Sequence, residues 1–159
     1  MHITWKELAV DLSGQKPADL MSAWRWLIPN TMALRMVSSL GDGFLEDDNG
    51  AIHWLDVGGA LLSRIADSRE QFDVLRQQPE NGNKWFVPQL VGDLLSAGKT
   101  LQPGQCFSYK VPPTLGGAFA PENFAACDLS VHFQTIGQMQ EQVKQLPATT
   151  VVDGFKIDY

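Results

Sequence analysis

The side chains best suited to nucleophilic chemistry in this sequence are Cys106 and Cys127, with His53 and His132 as candidate bases. A thiol attacks as its thiolate, so it needs a base at hydrogen-bond distance and a lowered pKa. Neither cysteine sits in a recognisable nucleophile turn. Packing is the favoured reading of both, and a small hydrolase using Cys and His is the alternative. Metal chemistry has less support, since the sequence holds no C-x-x-C and no H-E-x-x-H. The acidic run Glu46-Asp47-Asp48-Asn49-Gly50 resembles a fragment of a calcium loop but lacks the terminal bidentate Glu. Neither GxGxxG nor GxxxxGK[ST] occurs, so nucleotide binding has no support. No cofactor is expected.

The elements that carry these residues can be read from periodicity. Cys106 to Val111 alternates, with Phe107, Tyr109 and Val111 on one face, which predicts a half-buried strand. Pro112-Pro113 ends it, because neither residue has an N–H for a ladder. Gly116-Gly117 is expected to take positive φ or to pack too closely for a Cβ; an ordinary flexible loop is the alternative. Leu129, Val131 and Phe133 alternate with Asp128, Ser130 and His132, which predicts a second half-buried strand. Ile136, Met139, Val143 and Leu146 then follow at helical spacing up to Pro147.

Earlier in the chain, Thr4 and Glu7 fit a capping box for a short helix carrying Trp5, Leu8 and Leu12. Pro17 suits the first turn of a second helix with Leu20, Trp24, Leu27 and Ile28 on one stripe. Trp24 reads as core and Trp26 as a flank or interface residue. Residues 34–66 read as a three- or four-stranded antiparallel meander. Its central hairpin turns on Asp48-Asn49-Gly50, and Asn-Gly is the favoured pair for a type I′ turn. Ser68 and Gln71 fit a helix start, 79–83 reads as a loop, and Trp85 to Ala97 as a helix ended by Gly98. A last hairpin is expected around Asp153-Gly154.

The chain has 159 residues, of which 44% are hydrophobic, ordinary for one globular domain. It lacks the run of about 18 apolar residues that a membrane span needs. MHITWKELAV is not built like a signal peptide, and two cysteines make no disulfide framework, so a cytoplasmic location with free thiols is expected. The formal net charge is −6, which argues against general nucleic-acid binding. It suits a basic partner, although mild acidity also serves solubility.

The pieces GQCFSYKVPPTLGG, Asn123, DLSVHFQTIGQMQEQ and Leu146-Pro147 together resemble the C-terminal domain of Tdi-type immunity proteins. The likeness reaches back to GDGFLEDDNGAIHWLD at 41–56. The resemblance implies an α+β immunity protein that protects against a DNase effector of type VI secretion by binding it, without catalysis. The strand-rich 41–56 segment is also similar to the SUKH-type immunity superfamily, a fold alternative. The expected organisation is a single α+β domain over 1–159, with a helical segment at 1–30, the family-like core at 31–147 and a tail at 148–159. The expected partner is a cognate toxin, with no direct nucleic acid and no membrane. A nuclease cleft is basic, so the expected toxin-binding residues are the acidic Asp42, Glu46, Asp47 and Asp48, with Trp26 and Phe119 as aromatic anchors.

Overall fold

The alternation in residues 33–66 builds a four-stranded antiparallel sheet. A computed structural model describes residues 2–147, 157 and 159, so the hairpin expected around Asp153-Gly154 lies outside the described residues. Strands β1 (Ala33–Val37), β2 (Gly43–Glu46), β3 (Ile52–Asp56) and β4 (Leu61–Ala66) lie in that order across the sheet. Phe44 pairs with Trp54, and Leu45 with His53. At the β2–β3 turn only Gly50 has positive φ, at 85°, and its N–H donates to the Asp47 carbonyl at 3.0 Å. A type I′ turn needs positive φ at both central residues. This turn instead fits the type I form followed by a left-handed glycine.

The N-terminal helices are shorter than their sequence stripes. Helix α1 (Trp5–Leu8) starts with the Thr4 N–H donating 2.8 Å to the Glu7 carboxylate. The chain is already extended at Ala9, which bridges to Ser38. Helix α2 (Pro17–Leu20) passes into a separate 3-10 turn over Ser22–Trp24. The stripe of Leu20, Trp24 and Ile28 nevertheless faces the core, and all three are buried.

The middle of the chain departs from expectation at Pro79 and Val87. Helix α3 (Arg69–Leu75) is capped by Ser68, whose hydroxyl accepts from the Gln71 N–H at 3.1 Å. The expected loop at 79–83 is the start of helix α4 (Pro79–Phe86), because proline is pre-set for the first helical position. The single helix expected from Trp85 to Ala97 breaks at Val87, where φ is +46°, and resumes as α5 (Pro88–Ser96). Proline disfavours right-handed helical geometry in the residue before it, so the break falls there.

Strand β5 (Gln105–Tyr109) pairs antiparallel with β6 (Phe124–Asp128), and α6 (Leu129–Gln145) follows directly. The strand expected at 128–133 is therefore helix. Leu129 and Phe133 are buried on one helical face while Val131 is 46% exposed. Likewise β5 is not half-buried: Cys106, Phe107, Ser108 and Tyr109 are all buried. Leu90, Leu94, Phe107, Tyr109, Leu129 and Phe133 share one core cluster, and Trp54 packs only partly buried against it.

Two sets of contacts join the sheets and α6. Residues 8–11 bridge the sheets, with Val10 N–H donating to Val37 O (2.8 Å) and Gly104 N–H to Asp11 O (3.0 Å), and β5 also meets the end of the first hairpin directly through Phe107 N–H to Ser39 O (2.7 Å). Helix α6 is pinned by the Trp24 indole N–H to Phe133 O at 2.9 Å and by Gln140 Nε2 to Val57 O at 3.0 Å.

Candidate functional site

The acidic hairpin is largely engaged within the chain. Glu46 ends β2 with its side chain 16% exposed and pairs with Arg35 at 3.2 Å and with Arg69 at 2.9 Å. The Arg69 hydrogen bond holds its carboxyl below the usual range. Asp47 Oδ1 accepts from Asn49 N–H (2.9 Å) and Ala51 N–H (3.0 Å), and Oδ2 lies 2.9 Å from His53 Nε2. The His53 contact, ahead of these backbone bonds, lowers the Asp47 pKa. Asp48, at the tip, is exposed.

Asp42 does not join this group. It sits before the opposite end of β2, because a four-residue strand separates it from the turn. Its Oδ2 accepts from the Trp54 indole N–H at 3.0 Å and its Oδ1 from Val57 N–H at 3.1 Å. Burial first, and the neighbouring Asp56 carboxylate second, push its pKa up to about 8. An acid so placed organises the sheet end and does not present a surface charge.

The two aromatic candidates differ in the same way. Trp26 stacks on Trp24 with centroids 5.8 Å apart, and the Lys144 ammonium lies 5.2 Å from its ring centroid. Its indole N–H is buried and finds no acceptor among the described residues. Phe119, in contrast, is 56% exposed. It stands edge-on to Tyr109, with centroids 5.9 Å apart, in the connection between β5 and β6.

That connection, residues 110–123, is fixed by short contacts. Asn123 Oδ1 accepts from Val111 N–H at 2.9 Å, and its Nδ2 donates to Val111 O (2.8 Å) and Ala118 O (2.9 Å). The Lys99 ammonium donates to Pro121 O at 2.7 Å and to Phe124 O at 2.8 Å. Thr114 Oγ1 donates to Gly58 O at 2.7 Å. Gly116 has φ +91°, and a Cβ on Gly117 would fall 1.6 Å from Val111 O. The Gly-Gly pair thus meets both expectations, one at each residue. The result is a preformed loop with one exposed aromatic ring.

The cysteines and histidines do not assemble as a nucleophile and base. His53 belongs to the Asp47 turn. His132 is enclosed, with Nδ1 2.6 Å from Ser108 Oγ and Nε2 2.8 Å from Gly41 O. Burial pushes its pKa down to about 4, so the ring is neutral at pH 7. Cys106 and Cys127 face each other across β5 and β6, and burial raises both thiols. The Ser108–His132 contact had no local sequence signal, because it joins a strand to a helix misread as a strand. Ser108 and His132 are both 0% exposed, and the pair ties α6 to β5 in the interior.

Among the described residues, no group of three His, Cys, Asp or Glu side chains could hold a metal ion, and no helix is long and apolar enough to cross a membrane. The curated proteins contain no match to this chain. The acidic hairpin and the motif Leu146-Pro147 lie outside the segment that a protein-family comparison identifies; the 110–123 loop lies inside it. That segment, residues 66–140, matches the family described as T6SS immunity protein Tdi1, C-terminal.

Proposed function

We propose that this protein neutralises a cognate type VI secretion effector by binding it, that the effector is a DNase, and that the encounter takes place in the cytoplasm. The observation that carries the reading is the match of residues 66–140 to an immunity-protein family. The net charge of −6 favours a basic partner such as a nuclease cleft over direct contact with nucleic acid.

Within that segment Phe119 is the docking anchor. An exposed aromatic ring on a preformed loop loses little conformational freedom on binding, so more of its contact energy remains as affinity. Asp48 supplies the free charge at the hairpin tip. Glu46 and Asp47 support that tip from beneath, through Arg69 and His53. Asp42 and Trp26 act on the surface only by fixing neighbouring backbone and packing.

The test is growth of bacteria that express a DNase effector domain of type VI secretion from the same source as the chain, with and without the chain. Protection, together with loss of DNA cleavage when the two purified proteins are mixed, is the expected result. A folded, well-expressed chain that gives no protection overturns the proposal. Protection by a Cys106→Ala/Cys127→Ala variant separates binding from thiol hydrolysis, since only the hydrolase alternative needs those sulfurs.

A further inference from the structure

The β5–β6 pair carries a feature that toxin binding does not use. Cys106 and Cys127 are the two cysteines of the chain. Both are free and buried, and they occupy directly opposed positions in the antiparallel register. Opposed residues in such a ladder put their side chains on the same face of the sheet.

The backbone bonds at either end of the ladder fix which kind of pair this is. Lys110 N–H donates to Asn123 O at 2.8 Å, and Leu129 N–H donates to Gly104 O at 2.9 Å. Hydrogen-bonded pairs alternate along an antiparallel ladder, so the 110/123 and 104/129 pairs place 108/125 and 106/127 in the same class. Consistently, the N–H of Phe107 points the other way, to Ser39 O at 2.7 Å. Opposed residues of this class have Cα atoms about 5.5 Å apart, inside the range that a disulfide spans. Their Cβ atoms start somewhat farther apart than a relaxed disulfide prefers, so the bond draws the strands together and reduces readily.

We propose that Cys106 and Cys127 form a reversible cross-strand thiol–disulfide site, closed by hydrogen peroxide and opened by small thiols. Cys127 reacts first, because it is 5% exposed and Cys106 is 0% exposed. Its sulfur displaces hydroxide from the peroxide O–O bond, giving a sulfenic acid and one water. Cys106 sulfur then attacks Cys127 sulfur, forming the S–S bond and releasing a second water. Two thiols are oxidised by two electrons in all, and one peroxide is reduced to two waters. Burial holds both thiols above their usual pKa, so the reaction is slow at neutral pH and faster as pH rises. The closed bond ties β5 to β6 near the end of the ladder away from the Phe119 loop, beside the Gln105–Asp128 pair where α6 begins.

The test uses the purified full chain and needs no effector, so its outcome is independent of the proposed function. The chain is treated with hydrogen peroxide at pH 8, then denatured in N-ethylmaleimide and weighed. The expected product has lost about 2 Da through S–S formation and carries no maleimide, whereas untreated protein carries two. Dithiothreitol should restore both sites. In the Cys106→Ser variant the same treatment should leave Cys127 as a sulfenic acid that dimedone captures. Retention of two maleimide sites, disulfide-linked dimers, or sulfinic acid on Cys127 in place of the crosslink each overturns the proposal. Should Cys106→Ser not fold, the dithiothreitol-reversible loss of maleimide sites in the parent chain still decides it.

Discussion

Gly117→Ala tests whether the loop bearing Phe119 is built or merely permitted. The new Cβ would lie 1.6 Å from Val111 O and 2.9 Å from Asn123 Nδ2. The first obstacle is backbone and cannot rotate away, so the strand end and the turn must separate by about 2 Å to reach ordinary contact. That movement breaks the Asn123 bonds to Val111 N–H (2.9 Å) and Val111 O (2.8 Å) and strains the third to Ala118 O (2.9 Å). At about 1 kcal/mol for each hydrogen bond, the loss is about 2–3 kcal/mol. Gly116→Ala is the internal control: its site is open, and only its φ of +91° resists a side chain, at about 1–2 kcal/mol. Urea unfolding of the two variants supplies the comparison. Adding Asn123→Ala completes a double-mutant cycle, in which Gly117→Ala should cost less once the asparagine is gone. Equal costs for Gly116→Ala and Gly117→Ala, or strict additivity with Asn123→Ala, would refute the close-approach argument.

Three further outcomes are expected. Phe119→Ala should leave the unfolding midpoint nearly unchanged but weaken effector binding at least tenfold, about 1.4 kcal/mol, measured by calorimetry; unchanged affinity would move the anchor elsewhere. Phe133→Ala should cost about 3–5 kcal/mol and Val131→Ala under about 0.5 kcal/mol, because the first side chain is buried and the second is 46% exposed. Stability should fall from about pH 6.5 to about 8, by about 2 kcal/mol, because Asp42 is protonated in the fold up to about 8 but ionised in the unfolded chain. Below pH 6.5 the neutral His132, with its pKa near 4, has the opposite sign: the unfolded chain takes up a proton first, so stability is lost as pH falls. The two trends offset each other in the parent protein between about pH 4 and 6.5. Asp42→Asn should therefore abolish the alkaline fall and expose the acid one; a variant profile parallel to the parent's would contradict both assignments.

The meander was legible because alternation and turn residues agree over 43–56 and act locally. The start of α6 was not, because Leu129, Val131 and Phe133 satisfy a period of two, while Leu129, Phe133 and Ile136 equally satisfy a helical period. Only the packing settles it: Trp24 bonds to Phe133 O, and His132 is enclosed by Ser108 and Gly41. Asn81-Gly82-Asn83 reads locally as a loop, but Pro79 pre-forms the first helical turn. At the candidate site, the special geometry of Gly116-Gly117 followed from residue type, but the exposure of Phe119 did not, because a phenylalanine ring is more often buried. The engagement of Glu46 did not, since its partner Arg69 is 23 residues away and reaches it only once α3 has packed on the sheet. Asp42 is near the tip in sequence but not in space, because β2 lies between them and carries the two to opposite ends of the strand.

The close docking of α6 has a consequence for dissecting this chain. Gly137 lies so near the 3-10 turn that a Cβ on it would meet Ala23 O at 2.8 Å and Trp24 Nε1 at 2.9 Å. A helix from the segment matching the family is thus seated on residues far upstream of that segment. Excising residues 66–140 would strip the cover from Phe133 and Ile136 and remove the backbone partner of Phe107, leaving a sticky, partly ordered fragment. The segment that matches the family is thus shorter than the stretch of chain whose side chains share one core.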